Sequence, residues 1–198
     1  HPFVSRPALD LRSFGVESRE WLLGHEIIPL DVQSAWDKHC QQALAMIADT
    51  ALGQAGGSGI GMIRLHGDCH PGNILWTPDQ GPHFVDLDDA RTGPAVQDLW
   101  MLLSGERTQR QRQLGALMDG YEMLREFDRQ ELALIEPLRT LRLIHYSAWL
   151  ARRWDDPAFP ATFGWFGSSD YWKGQVLMLE EQIKQQGICT GRNAEQQV

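Results

Sequence analysis

Between Arg64 and Trp76 the chain reads RLHGDCHPGNILW, with a histidine, an aspartate, a cysteine, a second histidine and an asparagine packed into the stretch His66 to Asn73. Asp68 precedes Asn73 by five positions, and Asp86, in HFVDLDDA, follows Asn73 by thirteen. That spacing suits phosphoryl transfer from a nucleoside triphosphate. A loop aspartate can accept the proton of an acceptor hydroxyl, while an asparagine five residues on and an aspartate from a neighbouring strand offer the oxygen ligands that Mg²⁺ prefers. Asp and Asn are common in turns that do no chemistry, but not in this paired arrangement. His66, Asp68, His70 and His83 can also be written as a zinc hydrolase set. Zinc sites of that kind draw further histidines from later loops, and the late His145 falls in a strongly helical stretch.

These residues need elements to hold them. SREWLLGH reads as a short helix opened by Ser18. Apolar residues at Val32, Trp36, Cys40, Ala43, Leu44 and Ile47 then recur at the spacing of an amphipathic helix. Glycines between Gly53 and Gly59 break the chain, and short strands, IGMIRLH, NILW and HFVDL, surround the polar cluster. Everything beyond is helical in pattern. One helix carries Val96, Leu99, Trp100 and Leu103, and a second carries Leu114, Leu117, Met118, Tyr121 and Leu124. A third has Pro137 at its first turn or kinking it. The last carries Trp172, Val176, Leu179 and Ile183 and is expected to stop near Gly187. On an extended segment Asp88 would share a side with Asp86.

Taken together, LHGDCHPGNILW, HFVDLDDA, GPAVQDLWML and EPLRTLRLIHYSAWLARRWDDPAFP resemble the aminoglycoside-phosphotransferase-like branch of the protein-kinase fold, and within it the stress response kinase A family. The resemblance implies an α+β, mostly helical fold, the C-terminal lobe of a kinase, spanning residues 1–187 with a catalytic loop at 66–73, a metal-binding strand at 83–89 and a flexible tail at 188–198. It implies Asp68 as catalytic base and Asn73 and Asp86 as Mg²⁺ ligands, with Asp86 counted among the catalytic residues. His66 would brace the loop, and Asp98 would cap its amides from a following helix. Asp88, His70, Arg152 and Arg153 are further candidates. His70 reads first as loop packing, and the two arginines also suit a helix end. The reaction implied is transfer of the γ-phosphate of ATP to a serine or threonine hydroxyl of a protein, in the cytoplasm, by a monomeric enzyme.

Alternatives of other kinds stand beside it: a small-molecule kinase acting on an alcohol or amino-alcohol, or a non-catalytic module that binds partners. Gly67 stands where eukaryotic protein kinases often have a basic residue, and eleven residues separate Asp86 from Asp98, leaving no room for a long activation segment. A kinase of this fold also needs a lysine on a strand for the α and β phosphates. The only lysine ahead of the loop is Lys38, within a helical pattern, so the chain reads as a lobe lacking its N-terminal partner and inactive alone.

Composition agrees with a globular enzyme: 42% of residues are hydrophobic and 22% charged. The net charge of -8 argues against a sequence-independent grip on nucleic acid phosphates or on anionic membranes. No apolar run approaches the ~20 residues of a membrane span. The three cysteines, Cys40, Cys69 and Cys189, form no disulfide framework and suit a reducing compartment. Cys69 has no basic neighbour to lower its pKa, so its thiol is expected to stay protonated.

Overall fold

A computed structural model describes residues 3, 5–54 and 59–195, with side chains as far as Gly187. In chain order it contains α1 (Glu17–Gly24), α2 (Leu30–Ala48), β1 (Met62–Leu65), β2 (Ile74–Thr77), β3 (Gly81–Phe84), β4 (Arg91–Pro94), α3 (Val96–Trp100), α4 (Arg107–Glu122), α5 (Ile135–Arg152), α6 (Ala158–Thr162) and α7 (Ser169–Glu195). The chain divides into two compact units. One comprises His1–Leu9 and Gly57–Ile135, the other Asp10–Gly56 and Glu136–Val198. Among the described residues no helix is long and apolar enough to cross a membrane.

The second unit is helical. All six apolar residues spaced along α2 are buried, and Trp36 meets Trp172 of α7 edge-on at 5.7 Å. Aromatic edges contribute to a core beyond the area they bury. On α5, Leu138, Leu141, Ile144 and Ala148 form the buried face, with Pro137 in the first turn, where a missing N–H costs nothing. A π turn at Arg12–Val16 leads into α1, and its Gly15 lies so close to Leu44 and Leu141 that a Cβ would collide with both. Ser18 does not open a helix: it is fully buried within α1, donating to Ser13 O at 3.2 Å and lying 3.3 Å from His145 Nδ1. The final helix does not stop at Gly187 but continues to Glu195. Gly187 is not among the left-handed glycines, and a glycine without that conformation weakens a helix by roughly 1 kcal/mol without ending it.

The first unit holds two antiparallel pairs, β1 with β4 and β2 with β3. The strand β4 has the sequence Arg-Thr-Gly-Pro, which carries no strand signal, and the helical reading of this part of the chain is wrong here. It is buried throughout because both its edges are used. Arg64 pairs with Thr92 on one side. On the other, Leu9 N donates to Thr92 O at 2.7 Å and Thr92 N donates to Pro7 O at 3.2 Å. Gly93 fits there because a Cβ would press on Leu65 and Leu9. In the hairpin, Ile74 faces Phe84 and Thr77 faces Gly81, so β3 begins and ends earlier than the expected strand 83–89. Asp86 therefore lies after the strand, in a left-handed conformation at φ 61°. Residues 88 and 89 form a turn, and Asp88 and Asp86 do not alternate along an extended segment. Leu124 is 93% exposed because α4 has already ended at Glu122.

Candidate active site

The segment after β1 turns at Gly67, whose φ of 86° is left-handed. Only glycine fits there for a second reason: a Cβ would overlap the carbonyl oxygen of Asp89. Asp98, on the short helix α3, accepts the amide of His66 at 2.7 Å and that of Gly67 at 3.0 Å. The α3 helix is in turn anchored by buried Glu131, whose carboxylate accepts the Val96 amide at 2.8 Å. Burial pushes the carboxyl groups of Asp98 and Glu131 upward, and their backbone amide partners pull them only part of the way back.

His66 ties the loop to the acidic segment. Its Nε2–H donates to Val85 O at 2.9 Å, and its Nδ1 accepts the Asp68 amide at 3.4 Å. The two bonds together specify the Nε2–H tautomer. His70 takes the same tautomer, since Nδ1 accepts the Gly72 amide at 3.0 Å, and its Nε2 stands 3.5 Å from Asp68 Oδ2. Asn73 is buried. Its Nδ2 donates to Asp68 O at 3.0 Å and to Asp68 Oδ2 at 3.4 Å, while its carbonyl accepts the Val85 amide at 3.0 Å. Asp68, Asn73 and the residue before Asp86 are thus joined by direct hydrogen bonds.

The donor chemistry fits Mg²⁺. With Nδ2 spent on Asp68, the Oδ1 of Asn73 is turned away from that pair, and the exposed Asp86 carboxylate follows the residue bonded to the Asn73 backbone. Mg²⁺ takes one or two protein oxygens and keeps waters and phosphates for the rest of its shell. The zinc set does not assemble: among the described residues no three His, Cys, Asp or Glu side chains lie together as a metal site. His83 instead sits 3.1 Å from Thr77 Oγ1 within the hairpin, and His145 stacks on Phe14 at 4.0 Å in the second unit.

Other candidates fall elsewhere. Asp88 offers its carbonyl to Arg6, and Asp89 is paired to buried Arg91 at 2.7 Å. Arg152 and Arg153 belong to the second unit, their guanidinium groups 5.2 Å from the Trp21 ring and 4.4 Å from the Trp149 ring. Cys69 is buried, and burial with Asp98 and Asp68 nearby pushes its thiol up to about 11. Arg6, Arg91 and Glu131 were missed in the sequence. Each works through partners that no local pattern announces, and only the Arg-Pro step at Arg6 hints at a fixed extended segment.

A profile described as the phosphotransferase enzyme family matches residues 10–135. This chain belongs to the phosphotransferase enzyme family. Its fold is accordingly protein-kinase-like, α+β and mostly helical. Among curated relatives, stress response kinase A of Escherichia coli K12 is 46% identical over 182 residues, covering 92% of this chain and 53% of the relative. The protein of Salmonella typhimurium named serine/threonine protein kinase RdoA is 45% identical over 183 residues, covering 92% and 54%. The chain spans about half the length of the curated relatives it matches.

Proposed function

We propose that this chain carries the catalytic-loop part of an ATP-dependent kinase that phosphorylates serine or threonine hydroxyls of proteins in a bacterial stress response, in the cytoplasm. The observation that carries the reading is the direct tether between Asp68 and Asn73, closed on the segment that ends in Asp86 by the Asn73–Val85 and His66–Val85 bonds. In this reading Asp68 accepts the proton of the acceptor hydroxyl as its oxygen bonds to the γ-phosphorus, and the bond from that phosphorus to the β–γ bridging oxygen breaks to release ADP. The Asn73 and Asp86 side chains would hold Mg²⁺, which when bound would supply charge neutralisation to the phosphates. His66 and Asp98 keep the loop in shape, His66 through its ring and Asp98 through two backbone amides.

The name of the Salmonella typhimurium relative, a serine/threonine protein kinase, supports a protein acceptor. A small-molecule alcohol as acceptor is favoured by a separate observation: after Asp86 the chain makes one turn, enters β4 at Arg91 and reaches α3 at Val96. Nothing in that stretch forms a platform for a peptide.

The test is calorimetric titration of ATP with and without Mg²⁺ in an active form of the protein. Asp86→Ala is expected to remove most of the Mg²⁺-dependent part of the affinity. Retention of that part in the variant would move the ligand away from Asp86.

A further inference from the structure

We infer that Arg6 is a positioning residue for Asp86, acting through the backbone of the turn that follows it; this rests on the proposed role of Asp86 as a metal ligand. Asp86 has φ 61°, a left-handed conformation that aspartate adopts more readily than most residues with a Cβ but that is still uncommon, so the segment after it decides whether it is kept. That segment is the turn Leu87–Ala90, closed by Ala90 N donating to Leu87 O at 3.0 Å. All four carbonyls of that turn are engaged by two arginines. A single nitrogen of Arg6, Nη1, lies 2.6 Å from Asp88 O and 3.4 Å from both Leu87 O and Ala90 O. Asp89 O accepts from Arg91 Nε at 2.8 Å.

Arg6 is itself held. Pro7 restricts it to an extended conformation, and the next residues are bonded to β4 through Leu9 N to Thr92 O and Thr92 N to Pro7 O. The same turn bears on the proposed base, since Gly67 lies against the carbonyl of Asp89. A shift of the turn would therefore reach both Asp86 and the loop that carries Asp68. Arg91 is short-range and buried, so it holds the turn to its own strand. Arg6 comes from more than eighty residues away and fixes the turn against the segment Pro7–Leu9.

The sign of the effect separates positioning from simple charge. Arg6 is a cation beside a run holding Asp86, Asp88 and Asp89, so on electrostatics alone its removal should tighten binding of a divalent cation, by a few-fold at most. A positioning role predicts weaker binding. Because one nitrogen makes all three contacts, a lysine ammonium with three donors can replace it, whereas a methionine of similar length cannot.

The experiment measures Mn²⁺ binding to the 198-residue chain, with and without ADP, by electron paramagnetic resonance of the free ion. It also follows amide hydrogen exchange at Ala90, whose N–H is bonded to Leu87 O. Arg6→Met is expected to weaken Mn²⁺ binding roughly three- to tenfold and to speed exchange at that amide, with the thermal midpoint of the whole chain nearly unchanged. Arg6→Lys is expected within about twofold of the wild type. Arg12→Gln removes the same charge from an exposed arginine of the other unit and is expected to change neither reading. Unchanged or tighter Mn²⁺ binding in Arg6→Met, with unchanged exchange, overturns the inference. If Arg6→Met fails to fold, Arg6→Gln replaces it, and wild-type exchange at Ala90 in that variant overturns the inference equally. Asp86→Ala separates the two layers. Mn²⁺ binding that survives Asp86→Ala removes the metal-ligand reading, and with it the inference that Arg6 serves such a ligand; loss of binding in Asp86→Ala with no effect of Arg6→Met leaves that reading standing and removes only Arg6.

Discussion

Asp68 and Cys69 are chain neighbours with opposite fates. The aspartate is partly exposed and bonded to Asn73, whereas the thiol is buried and raised to about 11, so it stays protonated at neutral pH and gives no nucleophile. In the proposed reading the chemistry at this point of the loop falls to the carboxylate of Asp68. Asp68→Asn keeps the shape and one acceptor oxygen but cannot take a proton. In an active form of the protein it is expected to lower kcat by roughly 10² to 10⁴ with ATP affinity little changed, the pattern of a lost general base. Steady-state kinetics beside a nucleotide titration check this. Wild-type turnover in the variant would assign the base elsewhere, and His70, 3.5 Å from the same oxygen, would be examined next.

At the scale of elements, the loop depends on its contacts with α3 and with the turn after Asp86. Gly67→Ala puts a Cβ at φ 86° and against the Asp89 carbonyl. The left-handed conformation alone costs about 1–2 kcal/mol, and the overlap adds to it, so a loss of about 3 kcal/mol in urea unfolding is expected. Stability equal to wild type would mean that the loop and turn are not pressed together. Asp98 yields a pH dependence. Its carboxyl is raised by burial, so between its unfolded and folded values the folded state holds more protons than the unfolded state. Stability through Asp98 is then greatest at low pH and declines as the pH rises through the raised value. Glu131 contributes a slope of the same sign, but that slope is present in both proteins and cancels when wild type is compared with Asp98→Asn. The difference in urea midpoint, wild type minus variant, is expected to fall as pH rises from the acid side toward neutrality. A difference that grows over that range would contradict the raised carboxyl.

For the whole molecule, the distribution of lysines decides what the chain can do alone. Lys38, Lys173 and Lys184 all fall in the second unit, and the unit containing the loop has none for the α and β phosphates. Positioning and electrostatic stabilisation supply nearly all of the rate in phosphoryl transfer. The 198-residue chain, given labelled ATP, Mg²⁺ and a generic protein acceptor, is expected to fold with its helical signal and to transfer no more phosphate than its own Asp68→Asn variant. Transfer well above that level would require a nucleotide site that uses no lysine of this unit.

Elements whose signal is periodic and local are legible in the amino-acid order alone. The burial of Val32, Trp36, Cys40, Ala43, Leu44 and Ile47 along α2 follows from their spacing, because a helix repeats every 3.6 residues and one face must leave water. The same order brings Asp68 and Asn73 into one loop, since five residues leave little freedom. Where that regularity stops depends on contacts between segments distant in the chain. The strand β4 has no apolar alternation and exists because β1 and Pro7–Leu9 occupy its two edges. Asp86 leaves the extended conformation because a turn follows at once, and two arginines, one from the far end of the chain, hold that turn. Residue type alone makes Ser18 a cap, yet its place inside α1 is fixed by the packing that buries it completely. Hydrogen bonds between segments distant in the chain leave no local pattern; they arise only when packing brings a donor to a carbonyl that would otherwise be left without a partner.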